Sequence, residues 1–163
     1  MSSTEVLATY LHDHLAGAEA GVEMARRLEK RVSGTPEAHA LGRLADDVEH
    51  DRDELRQLVE ALGHSDHPLK RAAGWVAGKA QQLAVAEPLT RDEHLSLLLQ
   101  AEAMALGIEG KRALWEALLA VAAEHPQLAE VDLVRFAGRA REQRGRVETV
   151  RLAAARRAFG ARP

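Results

Sequence analysis

Residues 93–123 read EHLSLLLQAEAMALGIEGKRALWEALLAVAA, and this stretch decides the fold. It contains no proline, and leucine and alanine fill about half of it. Both residues form helices well, because neither loses much side-chain freedom there. Apolar residues occur nearly all round the helix, the pattern of an element surrounded by others rather than lying on a surface. The helix is expected over about 91–123. Thr90 with Glu93 three residues on has the form of a capping box. His125-Pro126-Gln127 ends it, and a further helix is expected over about 130–159.

The same periodicity predicts helices on the N-terminal side. The first runs over about 4–32, from a cap near Thr4, with Leu7, Leu11, His14, Ala18, Gly21, Ala25, Leu28 and Val32 on one stripe. Ser33-Gly34-Thr35-Pro36 stops it and starts a second helix over 36–62. A short helix over 68–83 is expected inside the long connection of residues 63–91. The connections are therefore short, long and short. Two antiparallel helical hairpins joined by a long crossover satisfy that order within one domain, 1–163.

Composition narrows the chemistry. The chain has no cysteine, which removes disulfides, thiolate metal sites and a cysteine nucleophile. A net charge of −3 with 3% aromatics does not favour nucleic acid, which needs a basic surface and stacking partners. No apolar run nears the ~20 residues of a membrane span. No leader is visible after Met1, so a cytoplasmic protein is expected. The preference for arginine over lysine has a bacterial, GC-rich character.

A few charged residues fall on the apolar faces. His14 sits mid-stripe on the first helix, and Asp51 lies with Leu44, Val48 and Leu55 on the second. Glu102 and Glu109, seven residues apart, share a face with Leu95, Leu98, Leu99 and Leu106. Arg144 and Arg151 show the same spacing on the last helix, with Glu148 between them. In an antiparallel hairpin turning near Pro126, Glu109 meets Arg144 and Glu102 meets Arg151. An ionised carboxylate among leucines needs such a partner or a metal. His14, Asp51, Glu109 and Arg144 then share one level.

The segments YLHDHLAGAEAG (10–21), DDVEHDRDEL (46–55) and LLLQAEAMALGIEGKRALWEAL (97–118) resemble an uncharacterised bacterial group of the ferritin-like superfamily. The resemblance covers nearly the whole chain. It implies an all-α, ferritin-like four-helix bundle whose long crossover contains a short helix. Di-iron members carry a Glu on the first and third helices and Glu-x-x-His on the second and fourth. Here Glu102 or Glu109 matches the third-helix acid, while His14 stands at the first-helix position. Asp47-x-x-His50 mimics the second-helix pair in sequence, with His50 facing away from the apolar sector. The last helix has no histidine.

The expected function is a non-catalytic binding or structural protein with a buried Glu–Arg network in place of a di-iron site and no cofactor. The buried polar network comprises His14, Asp51, Glu102, Glu109, Arg144, Glu148 and Arg151. The alternative is an iron- or manganese-binding oxidoreductase or hydrolase with His14, Asp51 and Glu109 as ligands. A small-molecule carrier using the side of Gly17 and Gly21 is a third reading, with close helix packing the ordinary explanation for those glycines. Arg135, Arg139 and Arg146 read as a solvated outer row, and His125 as an exposed turn residue. Self-association through helix faces is expected.

Overall fold

The computed structural model describes residues 2–62 and 91–160. Five α-helices form the described structure, and no strand occurs among these residues: α1 (Ser3–Val32), α2 (Pro36–Leu41), α3 (Leu44–Ala61), α4 (Glu93–Val121) and α5 (Leu133–Phe159). The helix expected over 68–83 and the cap expected at Thr90 lie outside the described residues. No described helix is long and apolar enough to cross a membrane.

Side chains at the helix ends explain where each begins. Ser2, not Thr4, caps α1, and Ser2 and Glu5 complete a reciprocal capping box. Asp92 caps α4, accepting from the His94 and Leu95 backbone N–H groups. Asp132 caps α5 through the Arg135 N–H. Two 3₁₀ turns, Ala122–Glu124 and Pro126–Leu128, join α4 to α5.

The helix expected over 36–62 is broken in two. Gly42 adopts φ +59°, which other residues rarely take, and ends α2. Arg146 of α5 stabilises the break, donating to the Leu41 carbonyl at 2.9 Å and to Asp47 at 2.5 Å. Glu29 of α1 accepts from the Ala45 N–H at 2.8 Å and so serves the free N-terminus of α3.

Cross-helix contacts fix the directions. Arg52 meets Glu19, and Ala45 meets Glu29, so α3 runs antiparallel to α1. Arg31 reaches Ser96, and His125 approaches Ser3, so α4 is also antiparallel to α1. Lys111 meets Gln143, and Arg151 meets Glu102, so α5 is antiparallel to α4. α3 and α4 therefore point the same way, with α1 and α5 opposed to them.

Two apolar clusters fill the interior. One contains Leu28, Leu44, Val48, Met104, Ile108 and Val147, and the other contains Leu11, Leu55, Leu114, Trp115, Leu118 and Phe136. Along α3, Asp51 falls between Val48 and Leu55. Along α4, Lys111 falls between Ile108 and Leu114. A polar layer separates the two clusters at this level.

Candidate functional site

Asp51 is the centre of that layer. It is 1% exposed, held inward by Val48 and Leu55 on the same face of α3. One carboxylate oxygen accepts from Arg139. The other accepts from Lys111 Nζ at 2.5 Å and from Gln143 Nε2 at 3.0 Å. Gln143 is fully buried, and its own oxygen accepts from Lys111. That amide orientation is the one that suits an ammonium on one side and a carboxylate on the other. The Arg139 guanidinium lies 4.9 Å from the centre of the Phe136 ring, and Phe136 stacks on Trp115 at 4.8 Å. Burial pushes the Lys111 ammonium below the usual lysine range, against the pull of Asp51 and with Arg139 adding to the push.

Beside this layer a cavity of about 340 Å³ opens between α1, α3 and α4. Gly17, Gly21, Gly107 and Gly110 line it, together with His14, Asp51, Lys111 and Trp115. Among the described residues, a Cβ added at Gly17, Gly107 or Gly110 would meet nothing within 4 Å, and at Gly21 it would meet Val48 at 3.8 Å. Packing among the described helices therefore leaves room for a side chain at Gly17, and at Gly21 for one in ordinary contact with Val48. A mid-helix glycine costs ~1 kcal/mol relative to alanine, and here it leaves open space. Trp115 is almost fully buried, and its indole N–H finds no hydrogen-bond partner among the described residues.

The charged residues expected in the core fall in different places. Asp51 is inside. His14 is half-buried on the cavity wall, edge-on to Tyr10 with ring centres 4.6 Å apart. Glu109 is not buried and does not meet Arg144. Its side chain is 49% exposed and pairs with Arg112 one turn away on its own helix. Glu102 is also part-exposed and meets Arg151 at 3.6 Å. Glu148 holds both Arg144, at 2.8 Å, and Arg151, at 2.6 Å, at the surface of α5. Hydrogen bonds from Arg151 and then Arg144 draw the Glu148 carboxyl down to about 2.

The register of the last hairpin is as the spacing implies, but the rotation of both helices about their axes is not. The buried stripe of α4 runs through Leu97, Ala101, Met104, Ile108, Trp115 and Leu118, and Lys111 continues it. The buried stripe of α5 passes through Ala140, Gln143, Val147, Val150 and Ala154, one position off Arg144 and Arg151. Leucines on every side of α4 conceal its phase, and Leu106, expected inside, is 71% exposed. Lys111 and Gln143 were legible only as polar interruptions of the stripes that proved buried. The outer-row reading also fails for two arginines: Arg139 uses its long stem to reach the buried Asp51, and Arg146 reaches the half-buried Asp47. His125 is buried and approaches the Ser3 hydroxyl at 3.4 Å.

These positions do not fit the metal reading. Among the described residues no three histidine or acidic side chains converge as a ligand set, so His14, Asp51 and Glu109 do not form one. Both Asp51 oxygens already accept from cations, which compete directly with a metal ion. Set against known proteins, the chain matches no protein-family model, no curated protein and no solved structure.

Proposed function

We propose that this chain is a ferritin-like bundle acting as a non-catalytic small-molecule-binding protein. A charged Asp51–Lys111–Arg139–Gln143 layer stands where a di-iron centre would lie. The helix directions support the bundle type: parallel α3 and α4 flanked by opposed α1 and α5 is the arrangement that one long crossover produces. The observation that carries the binding role is the cavity of about 340 Å³, a size at which small molecules are held. Four helix-interior glycines on its wall sacrifice helix stability, and among the described residues a Cβ at each would meet nothing closer than 3.8 Å.

The test is to fill the space. Gly17→Leu with Gly110→Leu places two apolar side chains where open volume now lies. Naphthalene, a neutral probe of suitable size, is expected to bind the natural protein by calorimetry and to lose that binding in the double variant. Unchanged helicity shows that folding is intact. Equal binding by both proteins, or binding by neither, overturns the proposal.

A further inference from the structure

The polar layer beside the cavity is out of balance. It contains two largely buried basic side chains, Lys111 and Arg139, 14% and 16% exposed, and one buried carboxylate, Asp51. Asp51 already accepts three hydrogen bonds, and its single negative charge faces both cations. The next acid on α3, Asp47, is committed to Arg146. Arg52, the other cation on the cavity wall, is surrounded by Glu19, Glu49 and Asp53 and is already neutralised.

Lys111 shows the same imbalance at the level of bonds. An ammonium has three donors in tetrahedral array. Two of them reach Asp51 and Gln143, and no described residue accepts the third. Lys111 lines the cavity, and so does Trp115, whose indole N–H is likewise without an acceptor among the described residues. The rest of the wall is chiefly apolar, with Val48, Leu55, Met104 and Ile108 on it.

We infer that the cavity takes a medium-chain monocarboxylate, its carboxylate seated on Lys111 and its alkyl chain along the apolar wall. The inference rests on the binding role proposed above and names the ligand class. One added carboxylate equalises the charges of the layer and accepts the third Lys111 N–H. An acid is favoured over a neutral acceptor because two cations share one carboxylate here, and a charge-assisted hydrogen bond is stronger than a neutral one. Size sets the chain length. The space of about 340 Å³ lies at the lower end of small-molecule sites, which favours a short to medium chain. Octanoate is of that size. Asp13 on α1 also lines the cavity and opposes an anion, whereas His14 next to it favours one when protonated.

The experiment compares octanoate with octanol by calorimetry at pH 7. Octanoate is expected to bind the natural protein at least tenfold more tightly. Lys111→Met should bring octanoate down to the level of octanol, with helicity unchanged. Asp13→Asn should tighten octanoate severalfold and leave octanol unchanged, which tests the charge argument without touching the buried layer. Equal affinity for acid and alcohol in the natural protein refutes the carboxylate assignment and leaves the cavity reading standing. So does undiminished octanoate binding in Lys111→Met. Failure of both octanol and octanoate to bind refutes the carboxylate assignment and counts with naphthalene against the binding role itself.

Discussion

Replacing Asp51 with asparagine removes the one carboxylate that holds Lys111 and Arg139 in the interior. Asparagine keeps the shape but offers one accepting oxygen and one NH₂ group. Asp51 receives donors on both oxygens, so the new NH₂ must face another N–H on one side or the other. Both cations are then left without an anion. Breaking a buried pair by removing one partner costs ~3–5 kcal/mol. The lower end applies here, because the Lys111 and Arg139 side chains retain 14% and 16% exposure and Lys111 can release its proton. A loss of about 3 kcal/mol is expected. At a urea dependence of ~2 kcal/mol per M it moves the unfolding midpoint down by about 1.5 M. Equilibrium urea unfolding at pH 7 measures this directly. Glu109→Ala serves as the contrast and should leave the midpoint in place, since Glu109 pairs with Arg112 at the surface. Replacing Asp51, Lys111, Arg139 and Gln143 together by leucine should return the midpoint to within ~1 kcal/mol of the natural protein, because a whole buried charged cluster contributes little net stability. A loss below ~1 kcal/mol for Asp51→Asn, or an equal loss for Glu109→Ala, refutes the reasoning.

Three further outcomes are expected. Gly17→Ala, Gly107→Ala and Gly110→Ala should each raise stability by ~0.5–1 kcal/mol, since helix propensity improves and the added methyl meets nothing; destabilisation in urea would show that packing requires glycine after all. Because burial lowers Lys111 in the folded state, the unfolded chain binds more protons as pH rises toward 10.5, and stability should rise there. Urea midpoints between pH 7 and 10 should show that rise for the natural protein relative to Lys111→Met, and parallel curves would contradict it. Glu148 is held at about 2, so its stabilisation is present above the ordinary carboxyl value of 4.5 and is lost as pH falls toward 2. Glu148→Gln should cost about 1 kcal/mol at pH 7 after allowance for solvent screening, with the deficit vanishing near pH 2 in acid titrations of midpoint.

Helix existence was legible in the sequence because it depends on local propensity, caps and breakers. The long elements lie close to the residues their periodicity predicts, and the α1 stripe from Leu7 to Val32 faces inward. Asp51 was legible for the same reason: α3 is strongly two-faced, so one polar residue on its apolar side stands out. The break at Gly42 was not, because it depends on Arg146, more than one hundred residues away, binding the exposed end of α2.

The sequence by itself determined an all-helical chain, the order of its long elements, the register of the last hairpin and a carboxylate inside. Tertiary structure decided which way α4 and α5 turn about their own axes, and with it that Lys111 and Gln143, rather than Glu109 and Arg144, meet Asp51. The physical reason is that α4 carries leucine on all sides. Rotating it changes its own burial little, so its phase follows the acceptors that Asp51 and Gln143 offer Lys111.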